Sequence, residues 1–150
     1  MYSHNKDNIE FVLTYTDNLK RAIYEAENDP NLPKTGGGNG HSRVSDPTAA
    51  KAIRDIVGVE CVTVYYGCKM SKTLRNPKKW LDVALATKAW FAGTMQEKII
   101  EHRFKEFPDK RKDVCEELCI GSTYYSMMLK EIFTVARAYA AGKGLITLNF

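Results

Sequence analysis

Capping residues, prolines and glycines cut the second half of this chain into short helical segments, and that punctuation constrains its fold more than any other feature. Asn76 followed by Pro77 is a cap-then-proline start, where the proline's missing N–H costs nothing because the first helical amides have no partner anyway. The helix it opens carries Trp80, Leu81, Ala84, Leu85 and Phe91 and stops at Gly93. Thr94 with Glu97 forms a capping box for a further helix bearing Ile99, Ile100, Arg103 and Phe104, which Pro108 ends. A last helix runs through Leu129, Ile132, Phe133, Ala136 and Tyr139 to Gly142. Everything after residue 76 is predicted to be helical.

The first half is written in the same way. Asp7 with Glu10 reads as a capping box, and Ile9, Val12, Thr16, Leu19, Ile23 and Ala26 follow at alternating intervals of three and four. This predicts one helix over about 8–27, with a seam for a partner helix that is internal or belongs to a second copy of the chain. Residues 28–45, rich in Pro, Gly, Asn and Ser, read as a connector. Its TGGGNGH run lacks the Gly-Lys-Ser/Thr ending that a phosphate-binding loop needs. Asp46 and Pro47 start another helix, whose end, VGVECVTVYYG, is β-branched and alternating enough to compete as a strand. The expected fold is therefore all-α: a helical bundle over 46–150, preceded by an N-terminal helix and linker over 1–45.

The stretch whose spacing implies a task is 109–130, DKRKDVCEELCIGSTYYSMMLK, two helices joined by a three-residue turn in the layout of a helix-turn-helix. Val114 and Leu118 lie four apart on one face and Ile120 plugs the turn. Cys115 supplies the small side chain that closely approaching helices need, and Cys119 and Gly121 bracket the turn. Ser122 or Thr123 is expected to cap the second helix, which opens with Tyr124, Tyr125 and Ser126, side chains able to reach base edges or phosphates. Met127 and Met128 read as core filling. Lys130 is the nearby charged residue, and no Arg, Asn or Gln is present there to pair bidentately with a base.

Charge supports contact with a polyanion. Net charge is only +4, but residues 69–112 hold twelve Lys or Arg against five Asp or Glu, whereas residues 1–30 hold three bases and six acids. The bases gather as Lys69, Lys72, Arg75, Lys78 and Lys79, and as Lys110, Arg111 and Lys112 at the head of the motif. Such clusters give salt-dependent, sequence-blind affinity for phosphates.

Other chemistries find little footing. Cys61, Cys68, Cys115 and Cys119 have six and three intervening residues within their pairs, not the spacing of a structural zinc site, and read as reduced core thiols; no metal or other cofactor is expected. His4, His41 and His102 suggest no catalytic order, and Glu116 and Glu117, adjacent on a helix, diverge by about a hundred degrees, so the chain is not expected to be an enzyme. There is no run of eighteen apolar residues and no apolar h-region at the N-terminus, which predicts a cytoplasmic protein with no membrane partner.

SDPTAAKAI (Ser45–Ile53) after a Gly-rich stretch, together with CEELCIGSTYYSMMLKEIFTVARAYAAGKGLI (Cys115–Ile146), resembles the RinA/ArpU-like phage transcriptional regulators. The likeness covers about half the chain. It implies a C-terminal half similar to region 4 of sigma factors, with a helix-turn-helix at about 109–141. It further implies sequence-specific binding of double-stranded DNA at promoters in the bacterial host cell, activation of late genes, and host RNA polymerase as a partner. Carried over by position, Ser122, Thr123, Tyr124 and Tyr125 open the recognition helix while Arg111 and Lys112 approach the DNA backbone. A small terminase subunit binding packaging sites, and a helical protein-interaction module, are the alternative readings.

Overall fold

A computed structural model describes residues 2–28 and 59–148. In chain order it contains α1 (Tyr2–Thr14), α2 (Thr16–Asn28), β1 (Cys61–Tyr66), β2 (Met70–Arg75), α3 (Pro77–Trp90), α4 (Met95–Arg103), α5 (Arg111–Leu118) and α6 (Ser122–Gly142). The expected all-α fold is thus corrected to a predominantly helical one with a two-stranded antiparallel sheet. The proposed helix from Asp46 and the Gly-rich connector lie outside the described residues. No helix among the described residues is long and apolar enough to cross a membrane.

The single N-terminal helix expected over 8–27 is two helices broken at Tyr15, and it begins at Tyr2 rather than behind an Asp7 cap. Thr14, Tyr15 and Thr16 are mediocre helix formers, and both threonines turn their hydroxyls back onto the preceding turn, Thr14 to Glu10 O at 2.8 Å and Thr16 to Val12 O at 2.7 Å. Tertiary packing completes the break. The Tyr15 ring lies 4.7 Å from that of Tyr66, and both lie 5.2 Å from Phe11. Glu10, rather than capping, accepts from Arg103 at 2.6 Å and ties α1 to α4. The predicted seam is real despite the break: Ile9, Val12, Thr16, Leu19 and Ile23 are buried, with α1 packed on α3 and α6, and α2 on β1 and α3.

The contest between helix and strand near residue 60 goes to the strand. β-Branched alternation suits a half-buried pleat, and Val62 and Val64 face inward while Cys61, Thr63 and Tyr65 face out. The register pairs Val62 with Leu74 and Val64 with Lys72. Lys72, on the inner face, lays its ammonium 4.9 Å from the Phe11 centroid, and burial lowers its proton affinity. Asn76 then closes the hairpin by donating its N–H to Glu60 O at 2.9 Å. With φ at 52°, it does not cap α3 through its side chain, as the cap-then-proline pattern predicts, although Pro77 does stand at the helix start.

The predicted box at α4 is rearranged as well. Glu97 accepts from the Gly93 N–H at 2.7 Å, and the Thr94 hydroxyl donates to Phe91 O at 2.6 Å. α1, α3, α4 and α5 converge on α6, whose Tyr125, Met128, Ile132, Phe133, Ala136 and Ala140 are buried. Lys88 of α3 reaches across to the buried Thr16 hydroxyl at 2.8 Å, and desolvation lowers its ammonium's proton affinity.

Because Leu13 and Ile132 belong to one apolar cluster, Leu13→Ala and Ile132→Ala are each expected to cost about 2–5 kcal/mol. Both should move the same urea transition, and an N-terminal unit melting separately from the remainder would contradict the shared core.

Candidate nucleic-acid interface

α5 ends where Cys119 takes the left-handed conformation, φ 54° and ψ 44°. The Cys119 N–H bonds to Glu116 O at 3.3 Å and the Ile120 N–H to Cys115 O at 3.0 Å, a pair of bonds that satisfies the last carbonyls of the helix. Glycine is the usual residue here, because a Cβ in this conformation crowds the backbone. Gly121, extended at φ −79°, is instead the residue before α6, and Ser122 is already helical. The cap expected from Ser122 or Thr123 is therefore absent, since the capping position lies one residue earlier and has no side chain. The first amides of α6 have no partner within the helix.

Three apolar side chains hold the hairpin from below, with Val114 fully buried and Leu118 and Ile120 packed at its margin. Arg111 holds it from above. Its guanidinium donates to Ser122 O at 2.6 Å and to the Ser126 hydroxyl, and lies 5.1 Å from the Tyr125 centroid. The start of α5 is thereby fastened to the start of α6.

The expected reading residues separate into two groups. Ser122, Thr123, Tyr124, Ser126 and Lys130 are exposed, as are Lys110, Arg111 and Lys112. Tyr125 is not: it is 3% exposed, and burial raises the proton affinity of its phenolate. It anchors α6 to the core rather than opening an outward surface, because a buried ring three positions after Ser122 faces the opposite side from Thr123 and Met127. The methionines separate in the same way. Met128 fills the core as expected, whereas Met127 is 50% exposed and corrects that expectation.

Along the solvent side of α6 runs a stripe that residue-by-residue reading overlooked. Thr123, Met127, Lys130, Thr134 and Arg137 recur at intervals of four and three, all exposed and none acidic. The helical period was the available signal, because Thr134 and Arg137 simply extend the series begun at Thr123. Glu131 sits on the neighbouring flank, where Gln96 donates to it at 2.7 Å. α5 is partly polarised in charge, with Lys110, Arg111 and Lys112 at its head beside Asp113, and Glu116 and Glu117 towards its end.

The other basic cluster is largely engaged in the fold. Arg75 pairs with Glu60 at 3.4 Å, Lys78 pairs with Glu27, and Lys72 covers Phe11. Lys69 and Lys79 are exposed and outside any ion pair among the described residues. Cys61, Cys68 and Cys119 are exposed rather than in the core, and Cys115 is half-buried beside Cys119.

The approach to α5 is fixed by Asp109. Its carboxylate accepts from Lys105 at 2.8 Å and from His102 Nδ1 at 2.7 Å, and its N–H donates to His102 O at 3.1 Å. The hydrogen bond from Lys105, followed by that from His102, holds its carboxyl below the usual carboxylate range. No family model, curated protein or solved structure matches this chain.

Two outcomes follow from this geometry. Cys119→Gly should raise stability by about 1 kcal/mol in denaturant unfolding, by relieving the left-handed cap; a loss of stability would show that the thiol's packing outweighs its strain. The second concerns acid. A carboxyl whose folded value is depressed stabilises above the unfolded value and loses that contribution as pH falls through the folded one. The thermal-midpoint gap between wild type and Asp109→Asn should therefore be complete near neutrality and close below about pH 4. A gap unchanged in acid would contradict the role assigned to this joint.

Proposed function

We propose that this chain binds double-stranded DNA, with α5 and α6 acting as a helix-turn-helix and the first turns of α6 entering the major groove. The supporting observation is the acid-free outward stripe of α6, Thr123, Met127, Lys130, Thr134 and Arg137, carried by a helix whose opposite face is fully engaged in the core. A major groove admits a helix of this diameter. With 21 residues, α6 is about 31 Å long, so its first half suffices for a groove while its second half remains in the bundle.

Local electrostatics favour the same reading. Bases at a helix's start and acids at its end oppose the macrodipole, each unfavourable by about 0.3–1 kcal/mol when exposed. Lys110, Arg111, Glu116 and Glu117 stand in that unfavourable sense, offset in part by Asp113 in the first turn and by His102 beside Glu117. An arrangement that costs stability is more readily understood as serving a polyanion that approaches the head of α5.

The chemistry of the stripe sets the kind of reading. Threonine hydroxyls pair with several base edges, and threonine and methionine methyl groups pack against the thymine methyl, whereas bidentate readers are missing. Specificity then draws on A·T content and on duplex shape. This suits a regulator placed at promoters alongside host RNA polymerase, as the RinA/ArpU-like resemblance implies, with activation of phage late genes as the proposed outcome.

Mobility-shift titration of a mixed-sequence duplex tests the reading. Binding should weaken steeply with salt, and Lys130→Ala or Lys110→Ala should each lower the log–log salt slope by about one. Indifference to every duplex at low salt would overturn it.

A further inference from the structure

Phe107 is 82% exposed, more than any other large apolar side chain among the described residues. It stands on the short segment between α4 and α5, and that segment is held at both ends. On one side Phe104 is buried, its ring 5.7 Å from that of Phe133 in edge-to-face contact. On the other, Asp109 is fastened by Lys105 and by both the ring and the carbonyl of His102. Pro108 fixes its own φ and favours an extended conformation at Phe107. An aromatic ring is thus presented to water on a backbone that cannot readily fold it away.

Its surroundings point to the partner. Lys105 and Lys110 lie two and three residues to either side, and Lys110 is outside any ion pair among the described residues. The tip of the β1–β2 hairpin stands alongside: a Cβ at Gly67 would lie 3.4 Å from Glu106 Oε1 and 3.9 Å from Met70 Sδ. That contact brings the exposed Lys69 and Met70 next to the segment, and it turns Glu106, the one acid not held by a lysine there, towards the hairpin. Phe107 is four residues from Arg111, whose guanidinium touches the first turn of α6. Four residues reach at most about 14 Å, so the backbone at Phe107 lies within that distance of Arg111 at the head of α5.

We infer that Phe107 is a wedge that inserts from the minor groove between stacked base pairs of the double-stranded DNA whose major groove receives α6, with Lys110 and Lys69 on the flanking phosphates. This rests on the DNA reading proposed above. An exposed aromatic ring near Lys110 and Lys69, both outside any ion pair among the described residues, has the chemistry of such wedges, in which unstacking one step is offset by a bend that brings more of the duplex onto the protein. It also supplies shape-dependent specificity, favouring flexible pyrimidine–purine steps, to a reading helix that lacks bidentate base readers.

The test uses the full chain and a mixed-sequence duplex of roughly 30 bp, labelled at its ends for energy transfer. Wild type should bind and bring the ends closer. Phe107→Ala should keep its thermal midpoint, bind about fivefold more weakly and lose most of the change in energy transfer. Phe107→Trp should bind like wild type, with its added indole fluorescence quenched by stacking on the bases. Equal bending and affinity for wild type and Phe107→Ala would overturn the wedge while leaving the helix-turn-helix reading intact. A change of oligomeric state on Phe107→Ala, with DNA binding unaltered, would assign the ring to a protein contact instead. Failure of wild type to bind any duplex would remove both proposals together.

Discussion

Burial of one face of α6 is the interaction on which the remainder of the structure depends. Tyr125, Met128, Ile132, Phe133, Ala136 and Ala140 form a continuous apolar stripe, and α1, α3, α4 and α5 each pack against that helix. Alanines at 136 and 140 let neighbouring helices approach closely, while Ile132 and Phe133 fill the centre. Fully burying a side chain of the size of isoleucine or phenylalanine is worth about 1.5–3 kcal/mol, so this stripe outweighs any single polar contact in the molecule. It also determines what remains outside. Once α6 is fixed about its own axis by these residues, Thr123, Met127, Lys130, Thr134 and Arg137 must face solvent.

The polar contacts have a different task. Glu10 with Arg103, Lys143 with Asp82 and Lys105 with Asp109 are partly exposed pairs, a type that typically contributes about 0–1 kcal/mol. Their value lies in where they hold things. Arg103 ties α4 to α1 through Glu10, Asp109 sets the direction in which the chain enters α5, and Arg111 joins the beginnings of α5 and α6. Position is thus imposed by weak contacts on elements whose existence is secured by burial.

How much of this was legible in the sequence depends on which physical term decided each element. The existence of the helices after residue 76 was readable because Pro77 and the helical period act locally, although Asn76 and Ser122 or Thr123 do not cap as expected and α4 ends at Arg103, ahead of Pro108. The N-terminal seam was readable because burial of Ile9, Val12, Leu19 and Ile23 follows the helical period. The break at Tyr15 was not. Part of its cause, the contact with Tyr66, lies fifty-one residues away, and the seam's periodicity is unchanged by it. The β1–β2 hairpin was only half legible, since VTVYY alternates but its partner MSKTLR carries little apolar signal of its own. Within the candidate site, the turn between α5 and α6 was visible, whereas the inward aim of Tyr125 was not. A tyrosine suits either a core or a groove, and only the phase of the helix decides between them.

Several local sequence rules fail in this fold, and three of the failures meet at one hairpin. Around the α5–α6 hairpin a non-glycine residue occupies a left-handed cap, α6 starts without a capping side chain, and α5 bears its charges against its dipole. Elsewhere departures are modest and have visible compensations: Lys72 covers a ring, and Asn76 at positive φ closes the β1–β2 hairpin. At the α5–α6 hairpin the compensation is partial: Asp113 stands in the first turn of α5, Glu117 lies 3.7 Å from His102 Nε2 and Arg111 is held by Ser122 and Ser126, while Lys110 and Lys112 are outside any ion pair among the described residues. Strain and unmet polar capacity persist where the surrounding structure over-determines them, and they concentrate where a surface is kept for something outside the fold. A polyanion lying across the head of α5 and the first turn of α6, as the proposed reading has it, would complement those bases and the first amides of α6 at once.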